Sequence, residues 1–369
     1  MWIDRRFIQN FNWSLLLLMI ILISVGVINL YSASQAGTEA KGTPVYLKQI
    51  LLVGVGFLAL MAVLWFDYHL LLSLAYPLLG FSVFLLLTVL FVGKTVSGSQ
   101  RWLPLGLFSF QPSELAKIAL VLALAKYFYT HEKNGRYGFR ELALPFGLAL
   151  LLAGLIMKQP DLGTAVLLLL ICFSVFFFVG VAGKTLIVSF SGLAVLMPIS
   201  WFFLKDYQKK RVLIFLQPET DPLGAGYHIL QSKIAVGSGG IWGKGFLKGT
   251  QGQLRFLPEH HTDFAFSLLA EEWGFLGALL VVTLFLLLVL WALNIARQSR
   301  DRFAMLTAYG IGAVFFWQSV INIGMVVGLV PVVGVPLPFI SYGGSSVIVS
   351  MIGIGLLLNI HMRRFVIQS

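Results

Sequence analysis

The chain has 369 residues, of which 58% are hydrophobic and only 11% are charged, and its mean hydropathy is +0.90. A soluble domain needs a more polar surface, so this composition excludes a soluble enzyme or binding module and indicates an integral membrane protein. The net charge of +11 is typical of basic loops that orient membrane helices, and we expect no nucleic-acid partner.

Ten apolar runs are long enough to cross the hydrocarbon core, which takes about 20 residues. They lie near residues 12–31, 49–66, 70–92, 114–129, 142–158, 162–180, 185–204, 275–295, 304–327 and 344–361. The first run exceeds the apolar core of a signal peptide, so we expect an uncleaved helix although Arg5 and Arg6 precede it. The pattern predicts an all-α polytopic membrane protein with ten transmembrane helices in a single domain, residues 1–369.

The basic residues predict how these helices are oriented, because Lys and Arg near helix ends are retained in the cytoplasm. If the ten helices alternate, one side receives Arg5, Arg6, Lys126, Lys133, Arg136, Arg140, Lys184, Arg297, Arg300, Arg302, Arg363 and Arg364. Both termini are therefore predicted to be cytoplasmic, and the long loop 205–262, between helices seven and eight, to be extracytoplasmic. The single cysteine, Cys172, lies in the middle of a predicted helix, so no disulfide supports this loop.

Within the loop, residues 227–236 form a short amphipathic run that is expected to lie along the membrane surface. Glycines at 243, 245, 249 and 252 then alternate with lysines at 244 and 248. Such amides and cations can cradle an anion, although the glycines can equally serve only to fold the loop back. Neither a P-loop nor a dinucleotide fingerprint is present.

The segment 257–274 places several ionisable side chains at the mouth of an apolar helix, where such groups are functional candidates by default. Asp263, at the junction of loop and helix, is the leading candidate. Thr262 or Asp263 is also well placed to cap the helix, which alone would explain the carboxylate. On an ideal helix Glu271 lies about 80° from Asp263 and Glu272 lies opposite it, so only Glu271 is expected to share its cavity.

Metal binding by the neighbouring His260 and His261 is not favoured, because adjacent side chains rarely face one ion and no spaced Cys or His partner follows. A divalent cation, Mg²⁺ or Mn²⁺, held by carboxylates and a substrate diphosphate stays an open hypothesis. No other cofactor is indicated.

Two further charged sites stand at predicted helix starts. Glu114 and Lys117 share one helix face at i, i+3, and Ser113 is predicted to cap that helix. The pair forms either part of a site or a lock between helices. Asp161 follows Gln159 and Pro160 and is predicted to be an N-cap.

Four sequence blocks resemble those of the SEDS family of bacterial cell-wall polymerases. The blocks are Phe110–Lys117, Gln159–Thr164, Pro258–Phe264 with Ala270–Glu272, and Pro336–Ser345. Segments 249–254 and 324–338 are most similar to the family members that act in cell elongation and rod shape. His260 differs from the residue that many relatives carry at this position. The resemblance spans the whole chain.

The resemblance implies a peptidoglycan glycosyltransferase of the inverting hexosyltransferase type that polymerises lipid II outside the bacterial cytoplasmic membrane. Lipid II is a disaccharide peptide linked to undecaprenyl diphosphate. The resemblance also implies a class B penicillin-binding protein transpeptidase and other elongation-complex proteins as partners, with membrane lipid around the chain. It assigns the catalytic role to Asp263, as the general base that takes the proton of the acceptor hydroxyl.

Other residues are candidates for substrate binding. They are Arg101, Glu114, Lys117, Asp161, Lys233, His261 and Glu271. Arg101, Lys117, Lys233 or a divalent cation is expected to stabilise the departing diphosphate. The segment 328–344 is either a loop or a re-entrant hairpin.

Three alternatives stay open: the division-specific member of the same family, a lipid II flippase or other transporter, and a scaffold for wall enzymes. Transporters tend to bind substrate near the midplane on broken helices and often show inverted repeats. These charges instead gather at predicted outer helix ends, and the sequence shows no clear internal repeat.

Overall fold

The computed structural model of the protein describes residues 10–35, 43–96, 99–104, 109–133, 135–185, 213–221, 224–253 and 261–364, with isolated positions between 187 and 209. These residues are mostly helical. The helices are α1 (Trp13–Gln35), α2 (Val45–Trp65), α3 (Tyr68–Val92), α4 (Pro112–Thr130), α5 (Phe139–Lys158), α6 (Leu162–Val179), α7 (Ala225–Ser238), α8 (Thr250–Gln253), α9 (Ala265–Gln298), α10 (Arg302–Val327) and α11 (Gly344–Arg363). A small antiparallel sheet of β1 (Lys94–Val96), β2 (Ser99–Pro104) and β3 (Ser109–Phe110) joins α3 to α4.

The predicted membrane runs coincide with long helices wherever the structure describes them. Eight of the described helices are long and apolar enough to cross a membrane. Helix α4 has a similar length, 19 residues, but carries Glu114, Lys117 and Lys126. The seventh predicted run, 185–204, lies largely outside the described residues. The chain is therefore a multi-pass membrane protein, and its ten-helix topology stays a prediction.

The bundle has a buried centre and an apolar outer surface. Helix α4 is buried along almost its whole length and packs against α3, α6 and α10. Large side chains on α2 and α3 point outward, among them Leu58, Trp65, Phe84 and Phe91. An outer surface of this kind requires lipid around it, because water would solvate it poorly.

Aspartate side chains cap several helices. Asp67 accepts a hydrogen bond from the backbone N–H of His69 at the start of α3, and Asp161 accepts one from Thr164 N at 3.1 Å at the start of α6. Asp301 does the same for α10. The predicted N-cap role of Asp161 is confirmed.

The predicted cap at Ser113 is wrong. Gln111 occupies the N-cap position of α4, and Pro112 follows it within the first turn. Proline suits the first helical position because its φ is preset and its missing N–H is not needed there. The helix therefore begins two residues earlier than predicted, and Ser113 lies inside its first turn.

Helix α9 also begins earlier than its apolar run, because the polar residues before Phe275 are helical as well. It extends from Ala265 to Gln298 with a break at Gly274, whose φ of 67° and ψ of −163° are not helical. The first part of the helix, 265–273, is buried almost throughout. It is this part that carries Glu271 and Glu272.

Residues 328–343, between α10 and α11, form a non-helical stretch that we call the buried segment. Val335, Leu337, Phe339 and Ile340 are each at most 1% exposed. A Cβ atom on Gly26, in the middle of α1, would overlap the carbonyl of Phe339, so the segment passes against that helix within the bundle. Non-helical backbone at membrane depth is tolerated only where protein surrounds it, as here.

Helix α7 contains the amphipathic run predicted at 227–236. The hydroxyl of Ser232 lies 2.8 Å from that of Ser267 on α9 and donates to the carbonyl of Val326 on α10, also at 2.8 Å. One face of α7 thus packs on two membrane helices, near the start of α9 and the end of α10.

Candidate active site

Asp263 lies in the turn that leads into α9. The N-cap position belongs to Phe264, so the expectation that Thr262 or Asp263 caps this helix is wrong. The side chain of Phe264 is 3% exposed. Asp263 is half-buried in the turn that precedes the N-cap.

Asp263 is held against the buried segment. The side-chain amide of Asn322 on α10 donates to the carbonyl of Asp263 at 3.0 Å and to the carbonyl of Val335 at 2.8 Å. The Oδ2 atom of Asp263 lies 3.2 Å from the point that a Cβ atom would occupy on Gly334, whose φ is +71°. The carboxylate therefore faces the backbone of the buried segment.

His261 contributes through its backbone. Its carbonyl accepts a hydrogen bond from the N–H of Tyr342 at 2.8 Å, which fastens the turn before α9 to the end of the buried segment. His260 lies outside the described residues.

Glu114 and Lys117 form the predicted pair. Their charged groups are 2.8 Å apart, and the two side chains are 3% and 2% exposed, respectively. The ammonium also donates to Oε1 of Gln318 at 3.2 Å, and the amide of Gln318 donates to the carbonyl of Pro336 at 3.2 Å. The ion pair thus connects α4 with α10 and with the buried segment.

Gln318 and Asn322 stand one turn apart on α10 and bind the consecutive carbonyls of Pro336 and Val335. Through them the ion pair and Asp263 contact neighbouring residues of one stretch of chain. Sequence reasoning missed both amides. The available signal was their presence in an apolar helix, where polar side chains usually bond to another element.

Arg101 on β2 is engaged by the protein itself. Its guanidinium donates to the carbonyls of residues 159 and 160 and lies 3.7 Å from the carboxylate of Asp161. Gln111 donates to Asp161 at 3.4 Å, and its backbone N–H donates to Ser345 at 2.8 Å. Three of the four signature blocks therefore meet here, and Arg101 holds the turn before α6.

Glu271 is fully buried and binds residues 243–251, which we call the latch loop. Its carboxylate accepts hydrogen bonds from Lys244 Nζ at 2.6 Å, Thr250 N at 2.8 Å and Gln251 N at 3.1 Å. The glycine-rich loop does cradle an anion, and that anion is a carboxylate of the protein. Both sequence interpretations of the loop are thus partly right, since it folds back in order to bind Glu271.

Glu272 reaches the same loop from the next position on α9. Its carboxylate accepts from the hydroxyl of Ser32 on α1, and its main-chain carbonyl accepts from Gly245 N at 3.0 Å. This second bond is available because the helix breaks at Gly274, which frees carbonyls in the preceding turn. The latch loop fills the break in α9.

Lys233 is exposed on α7. Its side chain lies against Gly328, the left-handed residue that ends α10. A cation at this position is favourable because the helix C-terminus carries partial negative charge.

A metal site built from the protein alone is not found among the described residues, which contain no group of three or more His, Cys, Asp or Glu side chains suited to one ion. Mg²⁺ is commonly held by one or two carboxylates together with substrate phosphates. A divalent cation would therefore take most of its ligands from a substrate diphosphate and from water.

These features define a polytopic membrane protein with an acidic turn fastened to a buried, non-helical segment. The sequence model of the FtsW, RodA and SpoVE family, described as cell cycle proteins, matches residues 12–365. The chain belongs to this family, as the four sequence blocks predicted.

Relatives support a more specific description. The chain is 47% identical over 291 residues to the peptidoglycan glycosyltransferase MrdB of Escherichia coli K12, covering 76% of each chain. It is 34% identical to the peptidoglycan glycosyltransferase RodA of Treponema pallidum, covering 97% of this chain and 99% of that protein. It is 38% identical to the probable peptidoglycan glycosyltransferase FtsW of Trichlorobacter lovleyi, covering 96% of this chain and 93% of that protein.

Solved structures show the same fold. A chain from a peptidoglycan synthase complex described as coordinating polymerization and crosslinking has a TM-score of 0.82 and 36% identity, covering 96% of this chain and 98% of that chain. The rod shape determining protein RodA of Thermus thermophilus has a TM-score of 0.71 and 32% identity over the same shares.

Proposed function

We propose that this chain polymerises lipid II into glycan strands during cell elongation and rod-shape maintenance, with Asp263 as the general base. The chain is a peptidoglycan glycosyltransferase of the FtsW/RodA/SpoVE family. The observation that supports the catalytic assignment is the fixed position of Asp263, because Asn322 holds its main-chain carbonyl and its Oδ2 atom lies against Gly334 of the buried segment.

The proposed step is an inverting displacement at the anomeric carbon of the donor sugar. The acceptor hydroxyl attacks as Asp263 takes its proton, and the bond to the lipid-linked diphosphate breaks with its electron pair on the departing phosphate. A positioned carboxylate of this kind contributes roughly 10²- to 10⁴-fold. The β-linked product follows from an α-linked donor.

Three cations are candidates for stabilising the departing diphosphate, and their surroundings support one of them most. Arg101 bonds to residues 159–161, and Lys117 bonds to Glu114 and Gln318. Lys233 is exposed beside the end of α10, close to where Ser232 joins α7 to α9. Its exposure favours Lys233 as the protein cation, alone or with Mg²⁺ or Mn²⁺ bound to the diphosphate.

The remaining candidates take supporting roles in this proposal. Glu114 and Lys117 join α4 to the buried segment, Asp161 holds the start of α6, and Glu271 holds the latch loop. His261 binds the buried segment through its backbone. In this proposal each of them holds backbone in place, and none reacts with the substrate.

We further propose a class B penicillin-binding protein as partner, together with other elongation-complex proteins, in the bacterial cytoplasmic membrane. The similarity to a peptidoglycan synthase complex supports this partner. The predicted cytoplasmic termini and extracytoplasmic loop 205–262 place Asp263 outside, where no nucleotide sugar is available and a lipid-linked donor is required.

Reconstitution tests the proposal against its alternatives. The purified chain is combined with lipid II and a penicillin-binding protein that has only transpeptidase activity, and the products are resolved by length. We expect long glycan strands, which are lost in Asp263→Asn. Transport of lipid II across vesicles without polymer would identify a flippase, and neither activity would leave a scaffold. Complementation of elongation-depleted or division-depleted cells separates the two members of the family.

A further inference from the structure

We infer that Asn322 is a positioning residue for Asp263. It acts by holding two main-chain carbonyls, those of Asp263 and Val335. The inference rests on the proposed role of Asp263 as the base. Asn322 is 0% exposed, and its side-chain nitrogen donates to the carbonyls of Asp263 and Val335. Its side-chain oxygen has no partner within the described part of the chain, so the observed role of the amide is that of a double donor.

The two carbonyls that Asn322 holds flank the carboxylate. One belongs to Asp263 itself, and the other belongs to Val335, the residue after the glycine that Oδ2 of Asp263 faces. Without the amide, the turn before α9 and the buried segment lose their shared donor and can separate. A displacement of about 1 Å can cost on the order of 10²-fold in rate.

The chain offers a matched control in Asn359 on α11. This residue is 1% exposed, and its side-chain nitrogen also donates to two carbonyls, those of Val63 at 2.6 Å and Phe66 at 2.7 Å. Its oxygen likewise has no partner among the described residues. Asn359 lies about 22 Å along α11 from Gly344, at a rise of about 1.5 Å per residue, so the same chemistry occurs at the far end of that helix.

The experiment compares Asn322→Leu with Asn359→Leu in the full chain. Leucine keeps the branched shape with a larger volume at both positions and removes both donated bonds. We expect losses of melting temperature in both, because each variant removes the side-chain donor of two carbonyls. Only Asn322→Leu is expected to lower kcat for lipid II polymerisation, by on the order of 10- to 100-fold, with a much smaller change in KM.

A second pair of variants separates this idea from the role of the base. In an Asp263→Asn background, Asn322→Leu should cause no further loss of kcat. A normal kcat in Asn322→Leu, or equal kcat losses in both asparagine variants, would overturn the positioning role alone. Full activity of Asp263→Asn would overturn the base assignment and, with it, the inference.

If Asn322→Leu does not fold, Asn322→Ser replaces it, since the small polar side chain avoids a large mismatch and has one hydroxyl donor. One hydroxyl cannot serve both carbonyls, so we expect a kcat between those of the leucine variant and the native chain. A serine variant with full kcat would rule out the need for the double donor.

Discussion

The carboxylate oxygen Oδ2 of Asp263 lies 3.2 Å from the point where a side chain at Gly334 would begin. The contact joins two parts of the chain that are separated in sequence by two membrane helices, α9 and α10. Gly334 has a φ of +71°, a conformation that residues with a side chain rarely adopt. Position 334 therefore requires glycine both for its backbone and for the space that Asp263 occupies.

Replacement of Gly334 by alanine should displace Asp263. We expect Gly334→Ala to lower lipid II polymerisation by on the order of 10-fold or more, because the methyl group crowds the carboxylate. The matched control is Gly180→Ala, whose φ of +88° imposes similar strain but whose added methyl group would meet no atom within 4 Å. Equal activity losses in the two variants would indicate backbone strain alone.

Asp263→Asn tests the general base directly. Asparagine has nearly the same shape but takes up no proton at neutral pH, so polymerisation should fall by on the order of 10²-fold or more. The protein should still fold and bind its partner. Asp301→Asn is the control, because Asp301 caps α10 and asparagine caps about as well. Near-normal synthesis by folded Asp263→Asn would eliminate the mechanism.

The pair of Glu114 and Lys117 should behave as one unit. Glu114→Ala or Lys117→Ala each leaves one buried charge unpaired, which typically costs about 3–5 kcal/mol of stability. We expect each variant to lose most activity and the double variant to be little worse than either. Thermal melts and polymerisation assays measure both effects.

An exposed ion pair of similar length provides the comparison. Lys133 and Glu141 are 2.7 Å apart, with side chains 49% and 36% exposed. Such pairs contribute only about 0.2–1 kcal/mol, so Lys133→Ala should be close to neutral. Additive losses at Glu114 and Lys117 would show that the two residues work independently.

Glu271 should hold the latch loop in place. Glu271→Gln replaces a carboxylate that binds Lys244, Thr250 and Gln251 with an amide that binds fewer of them. We expect faster hydrogen exchange across residues 243–251 and reduced polymerisation. Lys244→Met removes the bonds of the ammonium to Glu271 and to the Thr250 hydroxyl but leaves the backbone N–H bonds to Glu271, so it should have a smaller effect on exchange. Unchanged exchange in Glu271→Gln would contradict the anchoring role.

The orientation of the chain is testable by cysteine labelling. In a Cys172→Ser background, Lys248→Cys should react with an impermeant maleimide in whole spheroplasts, and Arg136→Cys should not. Both positions are exposed, so a cysteine at either one is accessible to a reagent on its own side of the membrane. Labelling at Arg136→Cys alone would reverse the topology and place Asp263 inside.

Much of this protein could be predicted from sequence because its strongest signals are local. The length of apolar runs decides which segments can cross lipid, and the cap at Asp161 follows from a preference expressed within one turn. The ion pair of Glu114 and Lys117 was predicted from their i, i+3 spacing on one helix. The signature blocks predicted the family for a similar reason, since each consists of one or two short stretches of sequence.

The contacts between distant segments were decided only by the tertiary structure. Helical geometry could not show that Glu271 binds the latch loop. The loop fills the break in α9 at Gly274, and a regular helix would not have this break. Nor could sequence show that Asn322 holds Asp263. A buried amide must find partners, but which carbonyls it finds depends on how the buried segment folds back between the helices.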